Sequence, residues 1–171
     1  MDFRLANICD LTELKVMYQK IIDHMNRSGI SIWDEVYPCE FFREDMERNR
    51  LHVLVGENHT IAAAYALYES NAGNRSIQWK NAADSAFYVN YLGVNVDFLR
   101  RGIGSEALKN AAALTRQKGV GSLRLFVVDI NKPAINLYLK NGFLQAAGIY
   151  EEKIDEGLTL REYGMEMDVS K

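Results

Sequence analysis

Two short stretches of this chain combine residue types that could do chemistry. The first is Arg100-Arg101-Gly102-Ile103-Gly104-Ser105, which follows a strand-like run and opens a helix-like one. Glycines without a Cβ let the backbone turn tightly and let a ligand approach the amides. The opening N–H groups of a helix have no partner within it, and the macrodipole there favours an anion. A phosphate or pyrophosphate is the natural ligand of such a turn; the alternative is merely a tight strand-to-helix connection. The second stretch holds Asn131, Ala134 and Tyr138. Separations of three and four residues place them on one stripe of a short helix or its N-terminal edge. A polar residue, a small residue and a phenol then line up, with room across the alanine for a ligand. Taken singly, Asn131 ahead of Pro133 reads as a helix cap and Tyr138 as a half-buried tyrosine.

Two phosphate-binding classes compete for the glycine turn. Gly102-Ile103-Gly104-Ser105-Glu106-Ala107 fits the dinucleotide fingerprint, and Asp129 closes the next strand roughly where a ribose-binding acid would sit. That reading fails on spacing, because residues 95–101 separate the strand from the first glycine. Too little chain remains for a second mononucleotide-binding half. A Walker A loop is excluded, since no Lys-Ser/Thr follows the glycines.

The elements that must position these residues follow from periodicity. Apolar residues at Leu14, Met17/Tyr18, Ile21/Ile22 and Met25 predict a helix over about 11–27, with Asp10 as its N-cap. Pro38 can open a second helix through Phe41, Phe42 and Met46. Residues 51–57 and 61–69 read as a strand pair, and 70–85 as an extended loop. Strands are predicted at 86–96 and 122–129, and helices at about 102–118 and 133–141. Two closing strands at about 143–152 and 159–168 finish the chain. This order predicts an α/β fold in one domain, 1–171, with a mixed sheet of six to seven strands and helices on both faces.

Composition narrows the class. The 171 residues are 48% hydrophobic with a net charge of −3, which permits a real core and shows no basic block. Nucleic-acid and membrane partners are therefore not expected, and no apolar run approaches the roughly 20 residues of a membrane span. The N-terminus lacks a signal-peptide pattern. Cys9 and Cys39 form no metal-like pair, so no metal is expected and a reduced, cytoplasmic setting is.

Residues 91–143 resemble the GNAT acetyltransferase superfamily. Tyr91-Leu92-Gly93-Val94 through Arg100–Ser105 is similar to that family's pyrophosphate loop, Q/R-x-x-G-x-G/A, with Leu99 where Gln or Arg is usual. Asn131, Ala134, Tyr138, Gly142 and Phe143 match its N-x-x-A-x-x-x-Y-x-x-x-G-F ending. The resemblance implies acetyl-CoA as co-substrate and a splayed pair of central parallel strands that admits pantetheine. Backbone groups of Leu92, Gly93 and Val94 would pair with the pantetheine amides. The amides of Arg100, Arg101, Gly102, Ile103, Gly104 and Ser105 would take the pyrophosphate. Asn131 and Ala134 would border the cofactor.

The implied reaction is attack of a neutral amine on the thioester, with Tyr138 as partner of the departing sulfur. A phenol titrates near 10 and a thiol near 8.5, so full proton transfer would be uphill by roughly 2 kcal/mol. Thiolate stabilisation by a donated hydrogen bond is therefore expected first. No general base is assigned: Asp34, Glu35, Tyr91 or a water could serve, and His24, His52 and His59 read as surface or structural residues. The acceptor, a small-molecule or peptide amine, is expected against Trp33, Asp34, Glu35, Tyr37 and Tyr91, where carboxylates lie beside aromatic faces. The 70–85 loop with Trp79 would cover the acceptor or make a subunit contact, as in a homodimer. The rival function is a catalytically idle acyl-CoA-binding regulatory module.

Overall fold

The computed structural model describes residues 1–171. In chain order the first half contains β1 (Asp2–Leu5), α1 (Leu11–Arg27), α2 (Phe42–Glu47), β2 (Leu51–Val55), β3 (Ile61–Tyr68) and β4 (Ile77–Gln78). Then come β5 (Ala86–Val94), α3 (Ile103–Gln117), β6 (Ser122–Val128) and α4 (Lys132–Lys140). The chain closes with β7 (Leu144–Gln145), β8 (Ala147–Gly148), β9 (Tyr150–Asp155) and β10 (Leu158–Asp168). It forms two compact units interleaved in sequence: Met1–Leu67 with Tyr91–Asn110, and Tyr68–Asn90 with Ala111–Lys171. No helix is long and apolar enough to cross a membrane.

The first unit carries strands in the order β1-β2-β3-β5, with β1 on β2 and β2 on β3 antiparallel. The predicted stripe of α1 is buried at Leu14, Met17, Tyr18, Ile21 and Ile22. Its start differs from the expected one. Asp10 is already helical and makes no side-chain cap. Instead Asn7 caps a 3-10 turn, Ile8–Asp10, that feeds the helix, and Asp10 closes that turn's capping box from the other side. The Asp10 carboxylate also accepts from the Arg4 guanidinium at 2.7 and 2.9 Å, which holds it below the usual carboxylate range. Pro38 does open the second helical segment, through a 3-10 turn at Cys39–Phe41.

At the centre of this unit Tyr18 is fully buried, and its Oη donates to the Tyr91 carbonyl at 2.5 Å. Its ring lies flat in the space where another residue's Cβ would be. A Cβ built on Gly93 would come within 2.8 Å of Tyr18 Cζ and 2.9 Å of Oη. Gly93 is therefore required by packing.

The second unit runs β5-β6-β10-β7, with β9 also on β10. β5 and β6 are parallel, Ala86–Val89 against Ser122–Leu125; β10 is antiparallel to β6, β7 and β9. The mixed, mainly antiparallel sheet counts eight strands where six or seven are expected. The extra strand arises because residues 143–152, expected as one strand, break into β7, β8 and the start of β9. β8 leaves β10 to pair with β4.

That pairing also corrects the expectation for residues 70–85. They hold a 3-10 turn, Ala72–Ser76, and β4. Trp79 is buried at 8% exposure, so its ring belongs to the packing of this unit and does not stand out on the surface. Its indole lies over the Arg124 guanidinium at 4.5 Å and donates to Asn74 Oδ1 at 2.7 Å. Arg124 in turn bonds Glu166 at 3.1 Å and the Asn81 carbonyl at 2.9 Å, and Glu166 accepts from the Lys80 amide. A buried ion pair thus ties the segment down.

Three substitutions test these packing assignments by urea denaturation. Gly93→Ala is expected to cost about 1–3 kcal/mol by overpacking against Tyr18. Tyr18→Phe should cost about 1–3 kcal/mol, because the Tyr91 carbonyl loses its donor. Arg124→Met should cost more, about 3–5 kcal/mol, since it strands the Glu166 charge.

Candidate active site

The glycine turn expected to take a pyrophosphate belongs to the first unit. β5 carries a non-glycine residue in the left-handed region, Tyr91 at φ 49°, which interrupts the regular extended course of the strand. Beyond it Leu92 and Val94 are half-buried and Gly93 is buried. Asn95 then ends the strand: its Nδ2 donates to the Ile61 carbonyl at 2.9 Å and its Oδ1 accepts from the Asp97 amide. A 3-10 turn, Val96–Phe98, follows. Arg100 at φ 61° and Gly102 at φ 75° then turn the chain into α3. A Cβ on Gly102 would meet nothing within 4 Å, so this glycine serves the backbone angle alone and leaves open space on that side. Arg100 and Arg101 are exposed, and Arg101 sits 5.3 Å over the Phe98 ring. The Glu106 amide makes the bond back to the Gly102 carbonyl at 3.1 Å. The amides of Ile103 and Gly104, ahead of it, open the helix, where backbone N–H groups have no acceptor one turn earlier. Side-chain cations, open space and helix-opening amides fit a pyrophosphate.

The phenol belongs to the second unit. The last residue of β6 is Val128, whose carbonyl accepts from the Asn131 amide at 2.9 Å. The Asn131 side chain accepts from the Ala134 amide at 3.3 Å, so Asn131 caps α4, with Pro133 in the first turn. Ala134 is half-buried. Tyr138 is buried, lies edge-on to Phe143 at 5.9 Å, and is pushed up to about 12 by burial. Cap, small residue and phenol do occupy one short helix, directly after the carboxyl end of a parallel strand. In open α/β sheets that end is the ligand-binding one.

The expected acceptor residues lie together in the first unit, with separable roles. Tyr37, Phe41 and Tyr91 pack as a ring cluster, Phe41 stacked on Tyr91 at 6.2 Å and Tyr37 edge-on to both at 5.9 Å. Tyr37 and Phe41 are each 37% exposed, whereas Phe42 is core. Trp33 leans on Tyr18 at 5.5 Å. Asp34 accepts from the Val36 and Tyr37 amides at 2.9 and 2.7 Å, and these bonds hold its carboxyl below the usual range. It shapes a turn and is a poor proton acceptor. Glu35 lines a separate pocket of about 350 Å³ with Lys15, Gln19, Ile22, Val36, Cys39 and Glu40. His24 and His59 are exposed; His52 is held below its ordinary value by burial and lies 2.9 Å from the Arg50 carbonyl.

Sequence reasoning missed three residues. Tyr18 was visible only as one member of a buried helical stripe. Asn90, on β5, has a buried Nδ2 without a partner. Glu162, on β10, is held above the usual carboxylate range. Strict alternation along the closing strand, Glu162-x-Gly164-x-Glu166, carried the signal for two inward acids.

Comparison with known proteins identifies the family and the fold. The pattern of the Acetyltransferase (GNAT) family matches residues 17–143. The chain belongs to that family. YwnH of Bacillus subtilis (strain 168), provisionally named a phosphinothricin acetyltransferase, is 28% identical over 149 residues, covering 85% of each chain. A GNAT-family acetyltransferase from Streptococcus agalactiae 2603 shares the fold at TM-score 0.82 and 14% identity, covering 98% of this chain and 94% of that one. YncA of Salmonella typhimurium, solved with its cofactor acetyl-CoA, shares it at TM-score 0.69 and 15% identity over 100% and 95% of the two chains.

Because open space surrounds Gly102, its replacement tests the backbone angle in isolation. Gly102→Ala is expected to lower stability by roughly 1–2 kcal/mol through the left-handed conformation alone. Thermal and urea unfolding would check this, and a neutral result would show that the turn does not need its glycine.

Proposed function

We propose that this chain is an acetyl-CoA-dependent N-acetyltransferase whose acceptor is a primary amine. The observation that carries this reading is Tyr138, a buried phenol on the helix that leaves the carboxyl end of β6. Membership of the GNAT family supports it, as does the acetyl-CoA bound by YncA. Arg100, Arg101 and the amides of Gly102, Ile103, Gly104 and Ser105 would hold the pyrophosphate. The backbone of Leu92, Gly93 and Val94 would pair with pantetheine amides. The co-substrate supplies an activated acetyl group as its thioester.

Tyr138 acts by donating a hydrogen bond. Burial disfavours the phenolate, and at about 12 the phenol stays protonated across the physiological range. Handing its proton to a thiolate of ordinary affinity, near 8.5, is uphill by about 5 kcal/mol. A donated bond to the departing sulfur needs no such transfer and stabilises charge where it develops. Mere binding of an acyl-CoA has no use for a phenol there, which disfavours the idle regulatory module.

Tyr138→Phe keeps the ring and removes the donor. It should lower kcat roughly ten- to a thousand-fold while acetyl-CoA affinity, read by calorimetry, stays near that of the parent. Turnover close to the parent's in this variant would remove Tyr138 from the mechanism.

A further inference from the structure

The closing strands of the second unit carry acid chemistry that Tyr138 does not use. Alternation on β10 puts Glu162, Gly164 and Glu166 on one face and Arg161, Tyr163, Met165 and Met167 on the other. α4 ends against the second face, where Met167 Cε lies 3.9 Å from a Cβ position on Gly142. Glu162 therefore faces away from that helix end. It stands opposite Val128, the last residue of β6, and opposite Tyr150 on β9. Glu152 pairs with Leu160 two residues away, which makes it the diagonal same-face neighbour of Glu162. Glu152 therefore stands as the acidic neighbour of the Glu162 carboxyl.

The surroundings leave this pair without a counter-charge. Tyr150 packs edge-on against Phe126 at 5.8 Å, and Phe126 against Trp79 at 5.7 Å, so the wall is aromatic. Arg124 of β6 is committed to Glu166. Arg161 is on the opposite face and pairs with Asp129 at 3.7 Å. Arg75, on the turn that packs against β9, is exposed. Burial first, and Glu152 second, push Glu162 up to about 7, and Tyr150 is raised as well.

A second observation lies on the same face. Asn90 follows Tyr88 by two residues on β5, and Tyr88 stacks on Phe126, so Asn90 shares their side of the sheet. Its Nδ2 is buried and unpartnered. A donor without a protein partner and a carboxyl facing aromatic rings together offer a polar ligand two hydrogen-bonding groups.

We propose that Glu162 accepts the proton that the acceptor's ammonium must lose, and that Glu152 positions and tunes it. The assignment rests on the acetyl-transfer reading above. The ammonium gives one proton to the Glu162 carboxylate. The nitrogen lone pair then forms a bond to the acyl carbon, and the carbon–sulfur bond breaks with its electron pair on sulfur. The nitrogen's second proton passes to the thiolate, which leaves coenzyme A as the free thiol. Glu162 returns its proton to solvent. One ammonium and one thioester become one amide, one thiol and one proton.

The test compares the parent with Glu162→Gln and Glu152→Gln. It measures kcat from pH 5.5 to 9 on a panel of alkylamines, acetyl-CoA affinity by calorimetry, and carboxyl titration by NMR of protein labelled with 13C at the glutamate side-chain carboxyl. In the parent, kcat should fall below about pH 7, because the group that must take a proton already holds one. Glu162→Gln should lose roughly 10²–10⁴-fold in kcat and lose that acidic limb, with acetyl-CoA affinity retained. Glu152→Gln should stay within tenfold of the parent and move the limb, and the Glu162 carboxyl signal, to lower pH. A carboxyl titrating near 4.3, an unmoved limb in Glu152→Gln, or parent-like turnover in Glu162→Gln would each overturn the proposal alone. A parent protein that binds no acetyl-CoA, or binds it and acetylates no amine, would overturn the acetyl-transfer reading and this proposal with it.

Discussion

The hydrogen bond from Tyr18 Oη to the Tyr91 carbonyl governs the first unit. A tyrosine with φ 49° inside a strand is strained, and it persists because its surroundings over-determine it. Tyr18 supplies that constraint from α1: its hydroxyl donates to the Tyr91 carbonyl, and its ring fills the space beside Gly93. Three local facts then follow from one contact. The helix stripe must place a tyrosine at position 18, the strand must carry a glycine at 93, and the backbone from Leu92 to Val94 is held in a defined course towards Asn95 and the turn. A phosphate-binding loop is only as well placed as the strand that delivers it.

The second unit solves a similar problem with charge. Arg124 and Glu166 sit opposite one another on β6 and β10, nearly dry, and such a pair adds little net stability because desolvation offsets the attraction. Its use is positional. Four polar groups of the 70–85 segment and β5, through five hydrogen bonds, address these two side chains or Asn74, which shares the network. A segment with scarcely any regular structure is thereby fixed against the sheet, and it brings the aromatic wall of Trp79, Tyr88 and Phe126 to the face where Glu162 lies.

How legible each part was follows from the range of the interactions involved. α1, α3 and α4 could be read from apolar spacing and from Gly119 and Gly142, because helices are local. The turn at Arg100–Ser105 and the stripe Asn131, Ala134 and Tyr138 were legible for the same reason. β4 and β8 were not: each is two residues long, and each exists only because the other, about seventy residues distant, pairs with it. The cap of α1 was misplaced from Asn7 to Asp10 because either residue has the right chemistry, and a 3-10 turn between them cannot be told from the helix itself. Asp34 shows the converse. Its type suggested a role toward an amine, and in the fold one of its carboxylate oxygens, Oδ1, also holds a turn by accepting from two backbone amides. Glu162 escaped notice because a glutamate in an exposed-looking hairpin means little until its neighbours are known to be aromatic and acidic.

Burial acts on Tyr138 and Glu162 in the same direction and suits them to the opposite duties proposed for them. Removing water disfavours the charged form of any acid. For Tyr138 this carries a group already neutral at physiological pH further from ionisation, so it remains a donor throughout. For Glu162 the same penalty, with Glu152 adding to it, brings a normally ionised group to the edge of neutrality, where it can both take and release a proton. A proton acceptor works best when its affinity matches the working pH, and a hydrogen-bond donor to a leaving thiolate works best when it does not ionise. In the proposed reaction, burial thus suits two acids of ordinary strength to two different roles. The sheet then places them on separate sides of the β6 terminus: the carboxyl on the face with Phe126 and Asn90, the phenol on the helix that ends against Met167.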